Sequence, residues 1–222
     1  CTKRDIIEYF GIPADKIEVV YQGCDPSFIH PVAAEKKREI RAKYQLPDHY
    51  ILNVGSIEER KNALSAVQAL MMLPEQIHLV IVGRHTEYTD KIERFIKENK
   101  LEKRVHIISN VPFDDLPVFY QLAEIFVYPS RFEGFGIPII EALYSGIPVV
   151  AATGSCLEEA GGPDSIYVHP DDIKGMADAF KQIYSDTERK KEMIEKGQKF
   201  AKRFSEEKQA VEILNIYKKL MK

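Results

Sequence analysis

Glu133 and Glu141 are the first residues of this sequence whose type and spacing point to chemistry. They lie in EGFGIPIIEALYSGIPVV, residues 133–150, where most other residues are apolar, glycine or proline. A carboxylate buried among apolar side chains costs free energy unless a partner compensates its charge. An ionised carboxylate accepts hydrogen bonds and donates none, so a hydroxyl-rich partner such as a sugar or a ribose diol suits it. By spacing alone, a surface pair in a chain with 34 acidic residues remains the alternative.

The residues between the two carboxylates predict a loop that runs into a helix. Gly134 and Gly136 lack side chains that would keep a ligand away from the backbone, and Pro138 suits the first helical position. Glu141 then falls in the first turn of this helix, whose N-terminus would face the loop and bind an anion. A dinucleotide fingerprint is not indicated, because the third glycine of G-x-G-x-x-G would fall at Ile139.

Arg60 and Lys61 indicate a second anion site. They stand just before a predicted helix, where the helix dipole and the free N–H groups favour an anion over a cation. Two cations at this place fit a phosphate or diphosphate held jointly by backbone amides and side chains. Gly55, just after a predicted strand, permits a close backbone approach. A solvated Arg-Lys pair at a helix boundary is the alternative.

These residues need secondary structure that brings them together. Short runs rich in Val and Ile alternate with amphipathic stretches, which predicts βαβ units and a Rossmann-like parallel sheet flanked by helices. The predicted strands are residues 17–21, 50–54, 77–82, 105–108, 125–128, 149–151 and 166–168. The predicted helices are a first one ending at Gly11, then 62–73, 88–100, 114–122, 138–144 and 171–184, one reaching position 203, and 206–221. Ligands of such sheets bind at the carboxyl ends of the strands, so we expect the site in the loops that follow them.

Composition excludes several classes of protein. Hydrophobic residues at 45% and charged residues at 29% are typical of a globular domain, and a net charge of -3 provides no basic field for nucleic acid. The longest apolar runs are too short to span a bilayer. Three isolated cysteines, Cys1, Cys24 and Cys156, fit a reducing compartment better than a disulfide framework or a zinc site. We expect a soluble, cytoplasmic protein whose N-terminal part is absent, since the chain opens at Cys1 instead of methionine.

Several motifs together resemble one enzyme family. GSIEERKN at 55–62, IVGR at 81–84 and LPVFYQLAEIFVYPSRFEGFGIPIIEALYSGIPVVA at 116–151 are similar to the donor-binding half of retaining glycosyltransferases of the family 4 type, which have the GT-B fold. The resemblance covers nearly the whole chain. It implies a nucleotide-sugar binding domain over residues 1–205 and, over residues 206–222, a C-terminal helix that crosses to a missing N-terminal domain.

The resemblance also implies a role for each matching residue. Glu133 would contact the transferred sugar and Glu141 the ribose of the nucleotide, while Arg60 and Lys61 would hold the diphosphate. Glu133, Arg60 and Lys61 form the expected catalytic set. The further donor-binding residues are expected to be Gly55, Ser56, Gly83, Asn110, Val111, Gly134, Phe135, Gly136 and Ile137. Backbone amides at 134–136 would hold sugar hydroxyls and phosphate, and the backbone at 110–111 would contact the nucleobase.

The chain departs from the family pattern at three positions. Many family members carry Arg where this chain has Ser56, which leaves the diphosphate with one cation fewer. His85 stands where a second glycine is often found, and Ser109 replaces a common glycine near the base. We interpret all three as variation within the family.

The implied reaction is hexosyl transfer from a nucleotide-diphosphate sugar with retention of anomeric configuration. Departure of the nucleoside diphosphate develops negative charge, which cations and helix-end amides stabilise, so neither a metal nor another cofactor is expected. The acceptor, a glycan, a lipid or a small molecule, would be bound by the missing domain. The fragment alone is therefore expected to bind donor with little or no turnover. Peripheral membrane contact of the full-length protein is a further expectation.

Other functional classes remain open. A GT-B-fold sugar-nucleotide epimerase would not require the Glu133-x7-Glu141 spacing, and a phosphorylase would require a lysine-bound pyridoxal phosphate. A module that binds a nucleotide sugar without catalysis would share the fold. A dinucleotide oxidoreductase is disfavoured by Ile139.

The last predicted helix carries a broad apolar stripe at three- and four-residue spacing. Its members are Ala210, Ile213, Leu214, Tyr217, Leu220 and Met221. This stripe either packs on the domain's own core or is left exposed, in which case we expect the fragment to self-associate.

Overall fold

A six-stranded parallel sheet is the centre of the protein, seen in a computed structural model that describes residues 2–221. The strand order is β3-β2-β1-β4-β5-β6. The strands are β1 (Tyr50–Val54), β2 (His78–Val82), β3 (Val105–Ile108), β4 (Ile125–Tyr128), β5 (Val149–Ala152) and β6 (Ile166–Val168). Helices cover both faces, so the predicted α/β architecture is confirmed.

The strand order reverses between β1 and β4. In the centre of the sheet, Ile51 of β1 pairs with Leu79 of β2 on one side and with Ile125 of β4 on the other. All five residues of β1 are buried, as expected for a strand with neighbours on both sides and helices on both faces. The connection from β1 leads to β2 on one side, whereas the connection from β3 returns to β4 on the other side of β1. A crevice opens at such a reversal, at the carboxyl ends of the strands.

Ten α-helices lie within the described residues. They are α1 (Thr2–Phe10), α2 (Ala34–Tyr44), α3 (Ala63–Leu70), α4 (Glu87–Glu98), α5 (Leu116–Leu122), α6 (Ile137–Tyr144), α7 (Leu157–Gly161), α8 (Ile173–Ser185), α9 (Thr187–Ala201) and α10 (Glu206–Leu220). The sequence did not predict α2 and α7. α2 buries only Ile40, so its apolar periodicity is weak, and α7 has five residues.

Two apolar cores hold the sheet, one on each face. Successive side chains of β4 alternate between them: Phe126 and Tyr128 join the core under α2, α5 and α6, while Ile125 and Val127 join the core under α3, α4 and α8. Tyr128 is the last residue of β4. Its position therefore brings its hydroxyl to the edge of the sheet where a ligand is expected.

The predicted strand at 17–21 is wrong. These residues belong to no strand, and Val19 is 50% exposed. Ile17, Val19, Val20 and Tyr21 have high strand propensity, but a strand also needs a neighbour to complete its hydrogen bonds. Within residues 2–221, the only bridge nearby is a single one between Cys24 and Ser205.

The last helix, α10, follows the predicted bounds but buries none of its residues. Its apolar stripe is exposed, including Ile213, Leu214, Tyr217 and Leu220. The alternative that this face packs on the domain's own core is therefore wrong for the described chain. Within residues 2–221, no helix is long and apolar enough to cross a lipid bilayer.

Candidate active site

Glu133, Arg60 and Lys61, the expected catalytic set, lie together in one cluster at the carboxyl edge of the sheet. The Glu133 carboxylate oxygen Oε1 is 3.0 Å from Lys61 Nζ and 3.3 Å from Arg60 Nη1. Only 11% of the Glu133 side chain and 15% of the Lys61 side chain are exposed. The carboxylate that the sequence led us to pair with a ligand hydroxyl thus has two cationic partners within the protein.

Two hydroxyl groups complete the environment of Glu133, and the sequence did not point to either. Tyr128 donates to Oε1 at 3.0 Å and Ser130 donates to the same oxygen at 2.9 Å. Lys61 Nζ in turn donates to the Tyr128 hydroxyl at 2.8 Å. Burial acts to raise the pKa of Glu133, but the donors from Lys61, Ser130 and Tyr128 prevail and hold it below its usual value.

Arg60 is anchored from two sides. Its Nε donates to Glu58 at 3.0 Å and its Nη1 donates to the carbonyl of Phe132 at 3.1 Å. Hydrogen bonding to Ser56 lowers the pKa of Glu58, with further lowering by Arg60. Ser56, which stands where many relatives of the resembled family carry Arg, therefore acts here through the carboxylate that holds Arg60.

Gly55 and Gly83 allow two loops of the site to touch. The backbone of Gly55 has φ +143°, and Lys61 Nζ lies 3.3 Å from the place where a Gly55 Cβ would be. A Cβ at Gly83 would lie 1.9 Å from the carbonyl oxygen of Gly55, which no real side chain tolerates. Both glycines are needed by the packing of the protein itself, and Gly55 also leaves room for the Lys61 ammonium group.

The loop at 133–136 presents its backbone to the same edge. Within residues 2–221, the amides of Gly134, Phe135 and Gly136 donate no hydrogen bond. Gly136, with φ +114°, caps α6, and Ile137 begins that helix with Pro138 in its first turn. Free amides at a helix N-terminus form an anion site.

Side chains behind this loop hold it in place. The Phe135 ring stacks on Tyr21 with centroids 5.1 Å apart, so this side chain packs on the core and only its amide is left for a ligand. The buried Cys156 thiol donates to the carbonyl of Glu133, with Sγ and O 2.9 Å apart. Burial raises the pKa of this thiol, which fits a structural role.

Glu141 lies in the second turn of α6 instead of the predicted first turn. It accepts a hydrogen bond of 2.6 Å from the buried hydroxyl of Tyr120. Burial raises the pKa of Glu141, and the Tyr120 hydroxyl only partly opposes this. The two glutamates of the motif therefore have opposite electrostatic environments.

The expected base-binding residues, Asn110 and Val111, follow β3. Asn110 is exposed with φ +58°, a conformation that asparagine tolerates better than most residues. Val111 packs against the core at its side chain. Ser109 donates to the carbonyl of Gly83 at 2.9 Å and ties this loop to the one after β2.

Asn62 is a further residue whose part in the site the sequence did not predict. Its buried amide nitrogen donates to the carbonyls of Pro129 and Pro170, at 3.2 and 2.8 Å. Asn62 itself adopts φ +56° between the turn that carries Arg60 and Lys61 and the start of α3. One side chain thus fixes the loops after β1, β4 and β6 to one another.

One group of potential metal ligands occurs within residues 2–221. His85, Asp90 and Glu93 offer ligand atoms within 4.8 Å of one another, and all three are exposed. They lie in the loop after β2 and on α4. The absence of a metal requirement at the donor site remains a prediction.

Comparison with known proteins identifies the family. A family model described as Glycosyl transferases group 1 matches residues 36–200. The chain belongs to this family. It is 31% identical over 224 residues to the O-antigen chain mannosyltransferase B of Escherichia coli, an alignment that covers 99% of this chain and 58% of that relative.

Solved structures have the same fold as this chain. The glycosyltransferase from Rickettsia africae ESF-5 superposes with a TM-score of 0.93 at 25% identity, over all of this chain and 62% of that one. Anabaena Alr3699/HepE, solved with UDP-glucose, has a TM-score of 0.89 at 20% identity over 98% of this chain and 61% of its own, which shows a shared fold alone. The chain spans about three fifths of the length of these proteins.

Proposed function

We propose that this chain is the donor-binding half of a retaining glycosyltransferase that transfers a hexose from a nucleotide-diphosphate sugar to an acceptor. The observation that carries the proposal is the cluster of Arg60, Lys61 and Glu133 beside the free amides that lead into α6. Cations and amides together suit a diphosphate, and a buried carboxylate beside them suits a sugar hydroxyl.

The chemistry of the cluster matches the charge that develops in this reaction. When the bond from the sugar to the diphosphate breaks, negative charge collects on the departing phosphate. Arg60, Lys61 and the amides of the 133–136 loop would stabilise that charge more than the ground state. No residue of the cluster needs to act as a metal ligand in this scheme. Glu133 would orient the transferred sugar, and Glu141, farther along α6, would accept from the ribose.

The acceptor is assigned to a part of the enzyme outside this chain. We propose that retention arises from same-face attack assisted by the leaving phosphate and that the isolated chain binds donor with little turnover. We also propose that the enzyme is located in the cytoplasm. The names of relatives such as the E. coli O-antigen chain mannosyltransferase B make mannose conjugates the first donors to test.

Thermal unfolding of this chain with nucleotides tests the proposal. Uridine, guanosine and adenosine diphosphates are compared with the matching nucleosides, and then with their hexose conjugates. A ligand at one hundred times its Kd stabilises the folded state by about 2.7 kcal/mol, which raises the midpoint by roughly 5 to 11 °C in a chain of this size. At least one diphosphate should do so while its nucleoside does not. No shift with any nucleotide would refute the proposal.

A transfer assay separates an enzyme from a binding module or an epimerase. The protein at the length of its relatives is incubated with the donor that binds and with a panel of glycan and lipid acceptors. We expect a glycosylated product with the anomeric configuration of the donor, detected by proton NMR. An epimerised nucleotide sugar without any transferred product would favour the epimerase.

A further inference from the structure

The Tyr128 hydroxyl occupies an unusual place in the cluster. It donates to Glu133 Oε1 at 3.0 Å and accepts from Lys61 Nζ at 2.8 Å, so it bridges a carboxylate and a cation. The tyrosine ring is 2% exposed and stacks on Phe126 with centroids 5.9 Å apart. It stands at the end of β4, a buried strand paired with β1 and β5, so the backbone that carries its side chain is held by the sheet.

More hydrogen-bond donors surround Glu133 Oε1 than this one oxygen can accept with good geometry. Arg60, Lys61, Tyr128 and Ser130 all place a donor atom within 3.3 Å of it. A carboxylate offers about four lone-pair sites over its two oxygens, so about two belong to Oε1. The two hydroxyls therefore compete with the two cations for this oxygen and weaken the hold of the carboxylate on them.

The same cations are needed elsewhere when a donor binds. If Arg60 and Lys61 turn to a diphosphate, the largely buried Glu133 loses its two charged partners, and a buried carboxylate without partners is costly. Hydroxyls that stay in place remove much of that cost. The Ser130 hydroxyl can also donate to the carbonyls of Arg60 and Phe132, at 3.2 and 3.3 Å. Tyr128 is therefore the hydroxyl whose hydrogen bond goes to Glu133 alone.

We propose that Tyr128 is a positioning residue that keeps Glu133 satisfied and in place while Lys61 and Arg60 move from Glu133 to the donor's diphosphate. This inference rests on the proposed function. Without the hydroxyl, Glu133 would keep the cations and the diphosphate would have to compete with it. The effect of Tyr128 on diphosphate binding should then depend on the charge of Glu133.

A double-mutant cycle tests this dependence. The Kd of the nucleoside diphosphate that stabilises the chain most is measured by calorimetry for Tyr128→Phe, in the wild-type and the Glu133→Gln backgrounds. Loss of one hydrogen bond to a charged group predicts about tenfold weaker binding in the wild-type background. In the Glu133→Gln background we expect less than about twofold, because the competing charge is gone.

Tyr50→Phe is the matched control. Its hydroxyl is also buried in the central sheet and donates to the carbonyl of Phe119 at 2.6 Å, away from the cluster. This variant should lower the unfolding midpoint as Tyr128→Phe does and leave the Kd unchanged in both backgrounds. Equal weakening by Tyr128→Phe in both backgrounds, or none in either, would overturn the proposal.

A second measurement does not depend on any nucleotide. Carbon-detected NMR titration of Glu133 reports its pKa in the free chain, where its charged and titratable neighbours are Arg60, Lys61, Tyr128 and Cys156, with Glu58 behind Arg60. Tyr128→Phe should raise this pKa and Tyr50→Phe should not. An unchanged pKa overturns the inference even if no diphosphate binds. Failure of all nucleotides to bind, with the pKa shift present, refutes the proposed function alone.

Discussion

Lys61→Met removes one charge from the site while keeping most of the apolar stem. The Lys61 side chain is 15% exposed, and its Nζ lies 3.0 Å from Glu133 Oε1 and 2.8 Å from the Tyr128 hydroxyl. At most one of its three N–H groups is therefore free for a phosphate without rearrangement. A charge-assisted hydrogen bond in such a place contributes about 1.5 to 3 kcal/mol. Since Lys61 must loosen from Glu133 to reach a phosphate, the lower end applies, which is roughly a tenfold rise in Kd.

The same substitution should cost some stability. Glu133 loses one of two cations but keeps Arg60, Tyr128 and Ser130, so the loss should be well below the 3 to 5 kcal/mol typical of a broken buried pair. About 1 to 2 kcal/mol corresponds to a fall in the unfolding midpoint of roughly 2 to 8 °C for a chain of this size.

Calorimetry with a nucleoside diphosphate and its nucleoside distinguishes the two effects. Lys91→Met is the control, because the Lys91 side chain is 58% exposed and its ion pair with Glu59 is long, with Nζ and Oε1 3.6 Å apart. It should change neither the midpoint nor the Kd. If Lys61→Met weakens nucleoside and diphosphate binding equally, Lys61 acts through the fold and its assignment to the phosphate is wrong.

Four further predictions rest on the geometry and the pKa directions. At pH 7, Glu133→Gln should lower the unfolding midpoint, because a carboxyl with a depressed pKa stabilises the folded state while ionised; the effect should fade as pH falls through its depressed pKa. Glu141→Gln should raise the unfolding midpoint at pH 7, because a carboxyl with a raised pKa destabilises the folded state while it is ionised. This gain in stability should fade as the pH falls from the raised pKa toward the usual 4.5. The variant should also weaken the binding of ribonucleotides more than that of deoxyribonucleotides. Gly83→Ala should abolish diphosphate binding and lower the midpoint, since its Cβ cannot lie 1.9 Å from the Gly55 carbonyl. Light scattering should show association of this chain at high concentration that Leu214→Lys reduces, because the α10 stripe is exposed.

Each of these predictions has an outcome that contradicts it. Melting curves that move in the same direction for Glu133→Gln and Glu141→Gln at pH 7 would contradict the opposite environments of the two carboxylates. Unchanged diphosphate affinity in Gly83→Ala would mean that the contact between the loops after β1 and β2 does not shape the site. A chain that is monomeric at every concentration would show that the exposed α10 face does not drive association.

The sequence was sufficient to predict six strands and most helices because their apolar runs are long and regularly spaced. It also led to Glu133, Arg60 and Lys61, because a carboxylate among apolar residues and two cations at a helix start both suggest a partner, and the motif resemblance then joined them in one site. The strand predicted at 17–21 failed because propensity is local while strand pairing is not. Helix α2 was missed because only Ile40 of its charged sequence is buried.

The hydrogen-bond partners within the site could not be predicted from the sequence. Tyr128 and Tyr120 belong to buried apolar segments, where an aromatic residue is normally part of the core. Their hydroxyls meet Glu133 and Glu141 only because β4, α5 and α6 pack side by side. Asn62 likewise follows two basic residues in the sequence and reveals its role only through carbonyls 67 and 108 positions away.

The hydrogen bonds of the Asn62 amide divide the loops of the site into two groups. Substitutions are hard to accommodate in the loops that Asn62 ties together and easier in the loop that it does not touch. Because it joins the loops after β1, β4 and β6, a change in one of them that moves its backbone is transmitted to the other two. The loop after β3, which carries Asn110 and Val111, is outside this tie and touches its neighbour through Ser109. If the proposed roles hold, the residues expected to contact the base can be exchanged without moving the loops proposed to hold phosphate and sugar. We then expect proteins with this arrangement to diverge in nucleotide preference by substitutions at 109–112.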